Sequence, residues 1–213
     1  MRVIDLTHYI TEDMPVYPGT LPPSLNCANS HERDGFKETL ISMFSHTGTH
    51  IDPPAHIFAD GMTLDEFDAS WFVGRGLVID CRALGEGEAI EMELLKRYSD
   101  KLDKADFLLF NLGWDKKWGM SEYFGDYPCI SESVLDFIIG GSYKGIGFDV
   151  IGLDPVGTIS RHKRLFSNKK IINIENLKDL DRCGSDLFTF ICLPIKIKDS
   201  DGAPARAIAI IED

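Results

Sequence analysis

SESVLDFIIGGSYKGIGFDV, residues 131–150, sets a helix pattern directly before a strand pattern. Ser131 can accept a hydrogen bond from the N–H groups of a first helical turn. Val134, Leu135, Ile138 and Ile139 follow at helical spacing, and Gly140 is the expected stop. The run 145–148 is short, apolar and bounded by breakers, which predicts a buried strand. The same kind of run recurs at 77–80, 107–111 and 170–174. Helical patterns lie at 90–98 and from Ser160, a candidate cap, with Leu165 and Phe166 turned inward. Strands are expected near both ends, at 2–6, 37–45, 187–198 and 205–211, the last two joined by a turn over 199–204. Prolines 15, 18, 22 and 23 make 11–24 an irregular connection. Helices and strands alternate in the middle of the chain, so the fold class is α/β, with a mixed sheet rather than a purely doubly wound one. With no repeat, low-complexity tract or linker, residues 1–213 read as a single domain.

The chain is acidic, with 34 Asp+Glu against 22 Lys+Arg and a net charge of −12. Such a surface repels nucleic acid and anionic membranes on average, so neither is an expected partner. The best candidate for a basic patch is Arg161-His162-Lys163-Arg164. Five widely spaced cysteines form no C-x-x-C pair, which fits reduced thiols in a cytoplasmic protein. Asp5 interrupts the start MRVIDLTHYI where a signal peptide needs its apolar run. No stretch reaches the ~18 apolar residues of a membrane span.

The chemistry concentrates in SHTGTHIDPPAH, residues 45–56. Pro53 and Pro54 disfavour a helix there. In an extended chain His50 and Asp52 project to one face, ~6.6 Å apart at Cα. His46 would lie ~13 Å from His50 along a straight strand, whereas zinc ligands lie only ~2.0–2.2 Å from their ion. The chain must therefore bend between them, and Gly48 is the residue best able to bend it. Gly48 also leaves space where a side chain would otherwise project towards the ion. Imidazole and carboxylate suit Zn²⁺, Mn²⁺ or Fe²⁺, and three protein ligands leave a coordination position open for water, the mark of a catalytic site. Such water becomes a nucleophile near neutral pH, and His56 is placed to carry protons.

A second set of donors lies further on. His162 is expected in the first turn of the helix begun by Ser160. Glu175 ends the strand-like 170–174, an unusual place for a charge unless something pairs with it. Asp149 and Asp154 also end a strand and suit turn or supporting roles. His8 and His31 have no such company and read as ordinary histidines. Two rival readings remain: a mononuclear iron oxygenase using His50, Asp52 and His162, and a non-enzymatic metal-binding module. The first leaves His46, His56 and Glu175 without work.

The residues also resemble a known family. His46-Thr-Gly-Thr-His50-Ile-Asp52-Pro-Pro-Ala-His56 is similar to the H-x-G-T-H-x-D-x-P-x-H signature of the cyclase-like metal hydrolases, which include bacterial kynurenine formamidases and isatin hydrolases. Pro15-Val-Tyr-Pro-Gly19, Asn111-Leu-Gly-Trp114, Gly147-Phe-Asp149 with Leu153-Asp154-Pro155, and His162 with Ile174-Glu175-Asn-Leu177 resemble further motifs of that family. The resemblance implies a compact domain with a barrel-like mixed sheet flanked by helices, assembled as a homodimer or homotetramer. It implies a first divalent ion on His46, His50 and Asp52, and a second shared by Asp52 with His162 and Glu175. Zinc, as one or two ions, or manganese would be the metal. The implied reaction is hydrolysis of a small amide or cyclic amide, with metal-bound water as nucleophile and His56 as general acid/base. Tyr17 stands where formamidases carry a substrate-contacting tryptophan. Gly152 takes a usual serine place and Asn111 that of a threonine.

Overall fold

The computed structural model describes residues 1–167 and 170–212. Its strands are β1 (Arg2–Asp5), β2 (Ser24–Asn29), β3 (Glu38–Ser42), β4 (His50–Asp52), β5 (Val73–Asp80), β6 (Ala89–Ile90), β7 (Phe107–Asn111), β8 (Cys129–Ile130), β9 (Gly145–Phe148), β10 (Ile172–Glu175), β11 (Phe188–Pro194) and β12 (Ala203–Ile211). The helices are α1 (His31–Asp34), α2 (Met92–Leu95), α3 (Ser99–Leu102), α4 (Glu132–Gly140) and α5 (Ser160–Phe166).

The main sheet runs β1-β12-β11-β5-β7-β9-β10-β4, and β4 pairs back onto β12. Seven strands thus close into a barrel, with β1 laid along the remaining edge of β12. β5, β7, β9 and β10 run parallel, while β4, β12 and β11 close the ring by antiparallel pairs. The single α/β domain with a mixed, barrel-like sheet is therefore what the chain forms.

Alternation along the strands separates two cores. Val78, Phe107, Leu109, Ile172, Ile174 and Ile51 pack inside the barrel with alanines 203, 205, 207 and 209 of β12. Leu77, Ile79, Leu108, Phe110, Ile146 and Phe148 face outward, beneath Val134, Leu135 and Ile138 of α4. The α4 stripe is the one read from residues 131–140, and Ser131 Oγ accepts from the Val134 N–H.

Three expectations change. The pattern at 90–98 breaks into β6, α2 and a 3-10 turn, because Ile90 pairs with Ile130 of β8. Residues 24–29, which carried no clear strand signal, pair with β3 as a two-stranded ribbon. Ser160 is the first residue of α5 rather than its cap. Asp154 does that work, its carboxylate accepting from the Arg161 and His162 N–H groups at 2.8 and 3.0 Å. A carboxylate reaching in from a loop serves the helix N-terminus as well as a local serine does. Among the described residues no helix is long and apolar enough to cross a membrane.

Candidate metal centre

The site is built on the outer face of the barrel, where β4 and β10 run antiparallel. Their register sets His50 opposite Glu175, Ile51 opposite Ile174 and Asp52 opposite Asn173. Both isoleucines point into the barrel, so the four polar residues share the other face. All four are buried, with Asp52 at 1% and Glu175 at 5% exposure. Burying carboxylates side by side is costly unless cationic groups or a metal answer them.

Three imidazoles supply the answer. Gly48 has φ +65°, the left-handed turn that lets His46 fold back towards His50. A Cβ at Gly48 would lie 3.5 Å from Ile10 and Met14, and Gly48 itself lines the cavity over the donor cluster. His46 Nδ1 lies 2.7 Å from Asp52 Oδ1, and His50 Nε2 lies 3.2 Å from the same oxygen. His50 Nε2 is also 3.6 Å from Glu175 Oε2. His162, brought in by the first turn of α5, places Nε2 at 3.1 Å from Glu175 Oε1 and 3.5 Å from Asp52 Oδ2. His56 ends a 3-10 turn, Pro54–His56, begun by the prolines. Its ring lies 3.9 Å from that of His46 and 5.9 Å from that of His162, centre to centre.

The outward nitrogen of each of these three imidazoles is held by an acceptor. His50 Nδ1 donates to the Gly48 carbonyl at 2.8 Å. His162 Nδ1 faces Asp154 Oδ2 at 2.8 Å, and His46 Nε2 faces Asp201 Oδ2 at 3.3 Å. This is how metal-ligating histidines are oriented: one nitrogen is committed to a neighbour and the other is aimed at the ion. The donor atoms of His46, His50 and Asp52 fall within 4.8 Å of one another, as do those of Asp52, His162 and Glu175. Buried carboxylates, tethered imidazoles and this spacing fit a divalent cation.

Electrostatics follow the same arrangement. Burial opposes a charge on His46, but Asp52 and Asp201 outweigh it and push its pKa up to about 10. Burial likewise opposes a charge on His162, and hydrogen bonds to Asp154, Asp52 and Glu175 push it up to about 12. Burial alone would raise Asp52; the charges of His50 and His46 hold it well below the usual carboxylate range. His56 goes the other way. Burial is the main cause of its lowered pKa, and His46 and His162 reinforce it against the pull of Asp52 and Glu175. That direction keeps His56 neutral near pH 7.

A cavity of about 400 Å³ opens over these residues. Pro15, Val16, Phe44, Ile151 and Ile159 give it an apolar wall, and Tyr17 stands at its rim. The Tyr17 hydroxyl accepts from the Gly157 N–H at 2.7 Å, which ties the early loop to the loop before α5. Gly152 lines the cavity as well. Asn111 does not reach it; its side chain accepts from the Gly113 N–H in the turn after β7. Asp149 serves the same turn, accepting from the Leu112 and Trp114 N–H groups. His8 stacks on Trp118 and His31 lies exposed on α1, both away from the donor cluster.

Two members of the site were not singled out from the sequence. Asn173 had a readable signal, since I-N-I-E alternates and sets Asn173 on the face of Glu175. Asp201 had none, because only barrel closure brings the turn before β12 against His46. There the backbone approaches so closely that a Cβ on Gly202 would lie 2.5 Å from the imidazole.

Known proteins share this arrangement of chain. The Cyclase family model matches residues 4–155, which include His46, His50, Asp52 and His56. An uncharacterized protein of Methanocaldococcus jannaschii is 35% identical over 99% of this chain and 100% of its own length. Kynurenine formamidase of Bacillus anthracis is 30% identical over 96% of this chain and 95% of its own. In fold the chain is similar to isatin hydrolase A from Labrenzia aggregata, with a TM-score of 0.87 at 24% identity, covering 100% of this chain and 94% of that one. The chain belongs to the Cyclase family.

Proposed function

We propose that this chain is a metal-dependent hydrolase of a small amide or cyclic amide. The observation that carries the reading is the convergence of His46, His50, Asp52, His162 and Glu175 under one cavity, with His56 beside them. The amide class is supported by the kynurenine formamidase relatives and by the shared fold with isatin hydrolase. His46, His50 and Asp52 would hold a divalent ion, zinc or manganese, and Asp52, His162 and Glu175 form a second candidate group. When bound, the ion supplies charge that polarises a carbonyl and activates water.

The chain's own residues do the rest. Asp201 and Gly48 fix the imidazoles of His46 and His50. The apolar wall, with Tyr17 at its rim, receives the body of the substrate and excludes bulk water. His56, neutral near pH 7, accepts a proton at one ring nitrogen and returns it to the departing amide nitrogen. The iron oxygenase reading gains no support, since His50, Asp52 and His162 are only part of the converging set. A homodimer or homotetramer is the assembly we favour; its support is the β2–β3 ribbon, where Leu40 and Ile41 are 62% and 54% exposed. Light scattering reads that directly.

The test of function is a panel of N-formyl aromatic amines and cyclic imides, assayed with and without EDTA. Hydrolysis abolished by the chelator and restored by Zn²⁺ or Mn²⁺ is expected. Tight metal binding without hydrolysis across the panel would favour the binding module instead.

A further inference from the structure

The second donor group already has an occupant. Asn173 Nδ2 lies 3.0 Å from Asp52 Oδ2, 2.8 Å from Glu175 Oε1 and 3.4 Å from His162 Nε2. These are the three residues that would hold a second ion. The amide has two N–H bonds, and the two carboxylate oxygens accept them. Its orientation follows from those neighbours, because a flipped amide would press its carbonyl oxygen against both carboxylates. As placed, Asn173 Oδ1 is buried and has no hydrogen-bond partner. Leaving a buried carbonyl unanswered is unfavourable, so the two N–H bonds to carboxylates must outweigh it.

Glu175 points to the same conclusion. Its Oε1 accepts from Asn173, from the Leu153 N–H at 3.0 Å, and faces His162 Nε2 at 3.1 Å. Two N–H donors that belong to no candidate ligand, from Asn173 and Leu153, already hold that oxygen, which leaves it poorly furnished to bind an ion. Its other oxygen, Oε2, faces His50 Nε2 and the first donor group. Glu175 thus serves the second group through hydrogen bonds and the first through a free edge.

We infer that the Asn173 amide stands in for a second cation, so that the chain binds one divalent ion, at His46, His50 and Asp52. His162 is then a hydrogen-bonding residue rather than a ligand. This rests on the metal-dependent reading above. Asn173 acts on the ion through Asp52 and Glu175 and is a positioning residue.

The test is metal content, read without turnover. Metal-free protein is saturated with Mn²⁺, desalted and measured by elemental analysis, with calorimetric titration and electron paramagnetic resonance alongside. The parent is expected to hold one ion per chain and to show the six-line spectrum of isolated Mn²⁺. Asn173→Ala and Asn173→Asp remove the amide and are expected to take up a second ion, with the broadened spectrum of a coupled pair. Asn173→Asp keeps the residue's size and carries the test if circular dichroism shows Asn173→Ala unfolded. Two ions in the parent overturn the inference, and so do both folded variants that stay at one. No ion in the parent overturns the hydrolase reading itself, and this inference with it.

Discussion

The imidazoles of His46, His50 and His162 each have one nitrogen committed to an acceptor, and those acceptors offer a way to test the site apart from its candidate ligands. His46 Nε2 faces Asp201 Oδ2 at 3.3 Å. Asp201→Asn keeps the shape but weakens the hold on the ring, and should lower metal affinity roughly 10–100-fold in a chelator competition. An unchanged affinity would mean that the Gly202 backbone alone positions His46. His56 separates in the opposite sense, since it sits beside the candidate ligands and its proposed role is proton transfer. His56→Ala should keep its metal and lose about 10²–10⁴-fold in kcat. Hydrolysis at the parental rate would remove His56 from the proton pathway. The proposed ligands were legible because the motif places His50 and Asp52 two apart and Gly48 at the bend. Asp201 was not, because its partner lies 155 positions away in sequence.

At the scale of elements, one antiparallel pair does most of the work. The β4–β10 register turns His50, Asp52, Asn173 and Glu175 to one face and Ile51 and Ile174 to the other. Ile51 therefore anchors two candidate ligands by packing, and it is fully buried. Ile51→Ala should lower unfolding stability by about 2–5 kcal/mol in urea titrations, through lost burial and the cavity left behind. A loss of only a few tenths would mean that β4 is held by its hydrogen bonds rather than by its core contact. The buried parallel strands were legible as short apolar runs, and α4 as a capped stripe. β4 itself was hidden, since three residues carry no period. The ribbon strand β2 was hidden too, since no residue of Ser24–Asn29 is buried and a strand exposed on both faces needs no apolar pattern.

Over the whole molecule, barrel closure joins a motif near residue 50, a strand end near 175 and a turn near 201. Local patterns gave the α/β class, while closure depends on β12 meeting β4 across more than 150 residues of chain. Such closure also concentrates charge, with consequences for pH dependence. In the metal-free chain His46 and His162 have pKa values raised to about 10 and about 12 from 6.5. The folded state then binds more protons than the unfolded one above pH 6.5. Stability from these groups is full below that value and is lost as pH rises towards each folded pKa. Metal at His46 must displace that residue's proton, so its protection should grow with pH. Melting curves of metal-free protein should fall between pH 6.5 and about 9, with a widening gap to the loaded form. A flat metal-free profile would place the protons elsewhere.

On the proposed function, a divalent ion held beside His56 makes this chain an amide hydrolase. The most direct measurement strips the protein with a chelator and follows hydrolysis of an N-formyl aromatic amine as Zn²⁺ or Mn²⁺ is added back in known equivalents. Turnover should be absent without metal and should rise in proportion to bound ion until the site is full. Turnover that persists after complete stripping, or that does not follow bound metal, would mean that hydrolysis does not depend on the ion.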